Sequence, residues 1–325
     1  MNHSYNDIIS IQNLCQAWRE FVRGKKSKRD VMEFSLNLSE NILKLHEDLL
    51  NKTYKHSAYE AFSINDPKPR SIHKTMVRDR LLHHAIYRIL YPYFDKKFIY
   101  DSYSCRNFKG THRPLYRFHK FFRQVSKSNK VTRWVLKCDI KKFFANIDHN
   151  TLLQIIEKHI TDENTTGLLK VIIKSFYSTE PCKGLPLGNL TSQLLVNIYM
   201  NEFDQYIKHV LKVKHYIRYA DDFVILSPNN NVLLQNVRYI VHFLNHKLKL
   251  TLHPDKIFIK TFASGIDFLG WVHFPNHRVL RTTTKRRMLK NLTKSSSRET
   301  TASYRGLLKH GNTYKLQEIL SKLEY

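Results

Sequence analysis

The stretch His215–Ser227, HYIRYADDFVILS, constrains the fold of this chain more than any other. Runs of β-favouring residues flank Asp221 and Asp222, and this pattern predicts a hairpin with a tight turn near Ala220–Asp222. Two adjacent carboxylates repel each other, and a divalent cation would offset their charge because hard cations prefer carboxylate oxygens. A solvated Asp-Asp turn is the alternative interpretation of the stretch taken alone.

A third carboxylate lies upstream, in Val131–Phe144, VTRWVLKCDIKKFF. Its apolar run Trp134–Leu136 predicts a buried strand that ends at Asp139. One carboxylate at a strand end, beside a hairpin with two more, is the minimum for a two-metal phosphoryl-transfer site with the ions roughly 3.5–4 Å apart. We therefore expect Asp139, Asp221 and Asp222 to be the catalytic residues.

Three motifs resemble those of reverse transcriptases, in the same order and at similar spacing. They are DIKKFF (Asp139–Phe144), GLPLGNLTSQ (Gly184–Gln193) and RYADDF (Arg218–Phe223). The resemblance implies an α+β fold of the right-hand polymerase type, with fingers, an α/β palm bearing an antiparallel sheet, and a short helical thumb.

The same resemblance predicts how the chain is divided. We expect an N-terminal helical region over 1–60, fingers and palm over 61–280, and a basic helical thumb over 281–325. A single helix is predicted over about Val31–Asn51, with an apolar side formed by Leu36, Leu38, Ile42, Leu43, Leu45, Leu49 and Leu50. In Tyr59–Leu90, Pro67 and Pro69 interrupt the pattern and predict a strand–turn–strand that opens into a helix. A second strand pair is predicted around a turn at Pro254–Asp255.

Further site residues follow from the resemblance. Two Mg²⁺ ions, for which Mn²⁺ can substitute, would be bound by the three aspartates and the backbone carbonyl of Ile140. The dNTP would be bound by Arg70, Lys74, Phe144, Leu187, Gly188, Gln193 and Lys256. Template or primer would be contacted by Arg106, Lys109, Tyr219, Trp271, Lys285 and Arg286. Phe144 would act as a steric gate that excludes a 2′-hydroxyl and so selects deoxynucleotides.

The pair Ser192–Gln193 bears on the subfamily, because many reverse transcriptases carry Gln-Gly in this motif. LGNLTSQ resembles the reverse transcriptases of diversity-generating retroelements, which copy a template-repeat RNA with frequent errors opposite adenine. The altered cDNA then replaces part of a target gene. This type implies template RNA, RNA–cDNA duplex, dNTPs and a small basic pentameric accessory variability protein as partners.

Two alternatives to this subtype remain. A retron, group II intron-like or antiphage-defence reverse transcriptase would keep the same chemistry, although no maturase or endonuclease segment is recognised in the sequence. A non-catalytic RNA-binding protein would keep only the fold, and the three intact aspartates disfavour it.

The charge of the chain agrees with a nucleic-acid partner. Lys and Arg number 54 against 27 Asp and Glu, a formal net charge of +27 that favours binding to polyanions. The cysteines Cys15, Cys105, Cys138 and Cys182 are scattered, without zinc or disulfide spacing. No signal sequence or membrane-spanning run is recognised, so we expect a cytoplasmic protein, encoded by a bacterium, archaeon or phage, that has no membrane partner.

Overall fold

The computed structural model describes residues 4–65, 69–294 and 297–322. In chain order the helices and strands are α1 (Tyr5–Ile9), α2 (Ile11–Phe21), α3 (Arg29–Leu36), α4 (Leu38–Leu50), β1 (Glu60–Ile64), β2 (Arg70–Lys74), α5 (Val77–Asp95), α6 (His112–Val125), β3 (Trp134–Asp139), α7 (His149–Glu157), α8 (Glu163–Lys174), α9 (Leu190–Gln205), β4 (Tyr216–Tyr219), β5 (Asp222–Ser227), α10 (Asn230–Lys247), β6 (Phe258–Thr261), β7 (Ile266–Phe268), β8 (Trp271–His273), β9 (Arg278–Leu280), α11 (Thr282–Lys294), α12 (Arg298–Leu308) and α13 (Tyr314–Lys322).

These elements form two compact units, each assembled from three separate stretches of chain. The first unit takes the described residues of Met1–Tyr100, Ile140–Val210 and Ile240–Leu252. The second unit takes those of Asp101–Asp139, Leu211–Tyr239 and His253–Tyr325. The sequence predicted a different division, into an N-terminal region, fingers with palm, and a thumb. That division groups residues by role rather than by compactness, and it stays a prediction.

The predicted helix over Val31–Asn51 is wrong, because the structure has two helices, α3 and α4, with a break at Asn37. Side chains around the break bond to backbone carbonyls: Ser35 Oγ donates to Val31 O at 2.7 Å, and Asn41 Nδ2 donates to Phe34 O at 3.0 Å. Such local bonds compete with helix continuation.

The break also changes which leucines are buried. Leu36, Leu43 and Leu50 were predicted to lie on the apolar side of the single helix, yet they are 83%, 46% and 56% exposed. Leu45 and Leu49 instead bury the inner face of α4.

The hairpin β1–β2 pairs in antiparallel register from Glu60↔Lys74 to Ile64↔Arg70 and leads into α5. This order of elements was predicted from the sequence, and the turn residue Pro67 lies outside the described residues. Within the first unit, the hairpin is bonded to the loop before α9, because His73 N donates to Leu187 O at 2.9 Å.

The second unit is built on an antiparallel sheet with strand order β4-β5-β3-β6. The predicted hairpin around Ala220–Asp222 is confirmed: β4 pairs with β5, and Ala220 adopts a positive φ of 55° in the turn. One face of this sheet packs on α6, which contributes Phe118, Phe121 and Phe122 to the core. The predicted α+β class with an antiparallel sheet is confirmed.

The predicted strand pair around Pro254–Asp255 is only half correct, because β6 forms a strand and the segment before it does not. That segment pairs with residues that follow β3: Lys141 N donates to Thr251 O at 2.9 Å, and Ile140 forms an isolated bridge with Leu252. Its backbone groups are thus satisfied there rather than against β6.

The last part of the second unit is the sheet β7-β8-β9 followed by α11, α12 and α13. Trp271 is buried where these elements meet, and a Cβ added to Gly311 would lie 2.0 Å from its indole ring. Across the part of the chain that the structure describes, no helix combines the length and apolar character needed to cross a membrane.

Candidate active site

Asp139 and Asp222 lie directly opposite each other at the ends of β3 and β5. Directly opposed residues of an antiparallel pair project from the same sheet face with Cβ atoms about 4.5–5.5 Å apart. Asp221 precedes Asp222 at the turn of the β4–β5 hairpin. The structure therefore brings the predicted strand-end carboxylate to the predicted carboxylate hairpin.

Two lysines contact these carboxylates. Lys256 Nζ donates to Asp139 Oδ1 at 2.8 Å, and Lys137 Nζ lies 3.3 Å from Asp222 Oδ2. Lys256 was predicted to bind the nucleotide, and in the structure its ammonium pairs with a predicted catalytic residue. Lys137 was not singled out from the sequence, although a lysine inside the apolar run WVLKCD, two residues before Asp139, was the available signal.

The electrostatics of the site centre on Asp222. Burial raises the pKa of its carboxyl to about 7; Asp221 and Asp139 add to the rise, and Lys137 opposes it. Its Oδ1 atom is buried and has no hydrogen-bond partner among the described residues. A buried polar atom without a partner is costly, and it marks the place where a further positive group would be stabilising.

The ligand atoms of these residues are of the kind that binds a divalent cation. Asp139, Asp221 and Asp222 supply hard carboxylate oxygens, and the unbonded Oδ1 of Asp222 is a ready ligand atom. In residues 4–65, 69–294 and 297–322, no three His, Cys, Asp or Glu side chains already surround one ion position. Binding would thus require the carboxylates to move closer together, with Asp139 turning away from Lys256. The carbonyl of Ile140, whose side chain is buried, stays a predicted ligand.

Most predicted dNTP-binding residues belong to the first unit. Arg70 is exposed at the end of the β1–β2 hairpin, whereas Lys74 Nζ lies 2.7 Å from Asp30 Oδ2. Arg80 pairs with the same carboxylate. A cavity of about 380 Å³ has walls that include Phe21, Lys25, Phe62, Ile72, Lys74, Arg80, Gly188 and Gln193. Phe21 and Lys25 come from the N-terminal region, where the sequence predicted no nucleotide contact.

The loop before α9 is shaped by the hairpin that it contacts. Leu187 is half-buried and its carbonyl accepts the bond from His73. Gly188 has a φ of +110°, and a Cβ there would lie 2.8 Å from Ile72 Cγ2. Gly188 was predicted to allow close approach of a nucleotide, and the structure shows that the close neighbour within this unit is Ile72.

Phe143 and Phe144 occupy different environments. Phe143 is buried, and Phe144 is half-buried beside it, with ring centroids 5.5 Å apart in an edge-on arrangement. This difference agrees with a core role for Phe143, and the gate role of Phe144 stays a prediction.

The predicted template and primer residues all lie in the second unit. Lys285 and Arg286 are exposed on α11. Arg106 Nη1 donates to Ser102 O at 2.9 Å, and the Lys109 ammonium lies 5.3 Å from the centre of the Tyr103 ring.

Tyr219 and Trp271 are less accessible than a contact role suggests. Tyr219 is half-buried against the core, and burial raises the pKa of its hydroxyl. Trp271 is 1% exposed, so its part in nucleic-acid binding would be to support the surface residues around it.

Comparisons with known proteins concern the chain as a whole. Residues 55–273 match the family described as reverse transcriptase (RNA-dependent DNA polymerase). Protein YkfC of Escherichia coli is 25% identical, with 71% of this chain and 69% of that protein covered. The group II intron-encoded protein LtrA of Lactococcus lactis is 24% identical, with 71% of this chain and 49% of that protein covered.

A solved structure shows a similar fold. Telomerase from Candida albicans, in complex with a fragment of telomeric RNA, matches with a TM-score of 0.53 at 12% identity, covering 71% of this chain and 46% of that chain. The chain thus spans about half the length of LtrA and of this telomerase. The likeness to telomerase supports a reverse transcriptase polymerase fold. Because the family match covers more than half of the sequence, the chain belongs to the reverse transcriptase family of RNA-dependent DNA polymerases.

Proposed function

We propose that this chain is the reverse transcriptase of a diversity-generating retroelement. It would copy a template-repeat RNA into cDNA with frequent errors opposite adenine, and the cDNA would then replace part of a target gene. The observation that carries the proposal is the pair Ser192–Gln193 within LGNLTSQ. Ser192 is buried in the first turn of α9, and Gln193 contributes to the wall of the cavity that also includes Lys74.

The proposed chemistry is nucleotidyl transfer. Each addition forms a bond between the primer 3′-oxygen and the α-phosphorus of a dNTP, breaks the bond to pyrophosphate, and releases the proton of the 3′-hydroxyl. Asp139, Asp221 and Asp222 would hold two Mg²⁺ ions, which when bound reduce the negative charge on the reacting oxygens. Arg70 and Lys74 would bind the triphosphate and contribute further charge stabilisation.

The proposed partners are template RNA, the RNA–cDNA duplex and a small basic pentameric accessory protein. The net charge of +27 supports the nucleic-acid partners, because cations that neutralise phosphates release counterions. Exposed Lys285 and Arg286 on α11 are the proposed duplex contacts. The N-terminal helices and the basic helices after residue 281 lie outside the catalytic motifs, and they are the proposed surfaces for the accessory protein. The proposed reaction would take place in the cytoplasm.

The test is primer extension on an RNA template with Mg²⁺ and dNTPs, followed by sequencing of the products. The double variant Asp221→Asn/Asp222→Asn serves as the control without the proposed metal ligands. Errors concentrated opposite template adenines, with extension lost in the variant, would support the proposal. Accurate copying by the wild type, alone and with its own RNA and accessory protein, would refute the diversity-generating role while keeping the polymerase.

A group II intron-like role is the second candidate, and the similarity to LtrA over 71% of the chain favours it. That role predicts an even error spectrum and tight binding to a structured intron RNA. Competition between intron RNA and template-repeat RNA for the purified protein would separate the two candidates.

A further inference from the structure

Lys137 is a charged residue in the middle of β3, where only 9% of its surface is exposed. Its ammonium makes two polar contacts inside the second unit. Nζ donates to Asp267 O of β7 at 2.7 Å, and it lies 3.3 Å from Asp222 Oδ2. In the sheet register Lys137 is opposite Val224 of β5 on one side and Phe258 of β6 on the other.

Packing alone does not account for a lysine at this position. A buried ammonium loses hydration, and it is tolerated only where anions and hydrogen-bond acceptors replace the lost water. A methionine could fill a similar volume between Val224 and Phe258 without that cost. Packing in the core therefore does not explain why this residue is charged. The anionic group that Lys137 contacts is Asp222.

The contact makes the two oxygens of Asp222 different. Oδ2 is held by Lys137, while Oδ1 is buried and has no hydrogen-bond partner in the described ranges. A carboxylate fixed through one oxygen presents the other in a defined direction. Partners that orient a ligand in this way typically contribute substantially to the affinity of a metal site.

We propose that Lys137 is a positioning residue for Asp222: it fixes the carboxylate through Oδ2, presents Oδ1 to a divalent cation, and ties the carboxylate hairpin to β7. The inference rests on the proposed role of Asp222 as a metal ligand. Asp267 extends the connection, because its carboxylate pairs with Arg281, the residue before α11. A continuous path of polar contacts thus runs from Asp222 to the start of α11.

The test compares Lys137→Met and Lys137→Gln with the matched control Lys260→Met. Lys260 lies on β6 in the same sheet, its ammonium is 5.0 Å from the Phe258 ring centre, and it is exposed. Mn²⁺ binding is measured by electron paramagnetic resonance on the full chain without nucleic acid. Asp222→Asn identifies the signal that belongs to this site.

We expect both Lys137 variants to weaken Mn²⁺ binding by about 10- to 100-fold, as removal of a ligand-orienting partner typically does. Lys260→Met should bind like the wild type. Hydrogen exchange should also become faster in Ile266–His273 of the Lys137 variants, because β7 loses its contact with β3. Thermal melting establishes that each variant is folded, and the glutamine variant remains informative if the methionine variant does not fold.

Two results would overturn the proposal. One is a folded Lys137 variant that binds Mn²⁺ as tightly as the wild type, or more tightly, which would mean that the lysine is neutral or competes with the ion. The other is Mn²⁺ binding that is lost in Lys137 variants and in Lys260→Met alike. Absence of Asp222-dependent binding in the wild type would instead refute the metal-ligand role on which the proposal rests.

Discussion

Replacing Gly188 with alanine should weaken the first unit, because the added Cβ meets both a backbone and a packing constraint. The backbone of Gly188 has a φ of +110°, a conformation that residues with a side chain rarely adopt. The new Cβ would also lie 2.8 Å from Cγ2 of Ile72 on β2. Because Cγ2 is attached to a β-branched carbon with restricted χ1, it cannot easily rotate away.

The size of the effect follows from these two contributions. A side chain held at a sparsely populated φ costs about 1–3 kcal/mol, and overpacking by one methyl group costs about 1–3 kcal/mol. Some relaxation is expected, so we predict that Gly188→Ala lowers the free energy of unfolding by about 2–4 kcal/mol. Docking of the β1–β2 hairpin on the Leu187 loop should weaken with it, and the KM for dNTP should rise.

Urea unfolding and dNTP kinetics measure both effects, and the chain offers a matched control. Gly167 lies within α8 and a Cβ there meets nothing within 4 Å, so Gly167→Ala should stabilise by about 0.5–1 kcal/mol. In the double variant Gly188→Ala/Ile72→Ala the packing clash is absent, and only the cost of the backbone conformation remains. The coupling free energy between the two substitutions should therefore be about 1–2 kcal/mol. A stable Gly188→Ala variant, or a coupling near zero, would refute this reasoning.

Other predictions concern pH, sugar selection and duplex binding. The pKa of Asp222, raised to about 7 from a usual value near 3.8, means that divalent-cation affinity should fall about tenfold per pH unit below pH 7 and level off above it. In the metal-free protein the Asp222 carboxyl binds more protons in the folded than in the unfolded state between these values, so its own contribution to the free energy of unfolding should decrease as pH rises through that window. Phe144→Ala should increase ribonucleotide incorporation by about 10- to 100-fold, measured with competing NTPs and dNTPs. Lys285→Gln and Arg286→Gln should each reduce the salt slope of duplex binding by about 1, measured by fluorescence anisotropy at several salt concentrations.

Each of these predictions has a control or a contrary outcome. The difference in free energy of unfolding between the wild type and Asp222→Asn isolates this contribution, and a difference that does not change with pH across the window would show that another group titrates there. Phe144→Tyr keeps the ring and should keep sugar selection, so equal ribonucleotide use in Phe144→Ala and Phe144→Tyr would contradict the gate role. An unchanged salt slope after both α11 substitutions would place the duplex elsewhere.

The carboxylate hairpin was predictable because its information is local. Two runs of β-favouring residues on either side of a short turn predict that β4 pairs with β5, and a similar run that ends at Asp139 forms β3. The family-like motifs then predict that the three aspartates form one site. Local pattern and resemblance together were sufficient for the α+β class and the carboxylate positions.

The cation partners were not predictable, because they depend on tertiary contacts between distant residues. Lys137 meets the backbone of Asp267, which lies 130 residues further along the chain. Lys256 and Asp139 are separated by 117 residues. Neither pairing leaves a signal in a single sequence, and the resemblance assigned Lys256 to the nucleotide instead.

The N-terminal helices show a different reason for failure. Leucines at helical spacing predicted one continuous helix, but the structure has a break at Asn37, beside which Asn41 Nδ2 bonds to the Phe34 carbonyl. Helix propensity and hydrophobic pattern are summed over many residues, and they do not include a specific side-chain bond of this kind, which offers the backbone an alternative to helix.

The most direct test of the central claim is single-turnover primer extension on an RNA template by the wild type and by Asp222→Asn. If Asp139, Asp221 and Asp222 form a divalent-cation site for nucleotidyl transfer, the variant should lose about 10²-fold or more in rate, because a metal ligand set supplies several kcal/mol to such a reaction. Its folding and RNA binding should be retained. An Asp222→Asn variant that extends the primer at the wild-type rate would contradict the account.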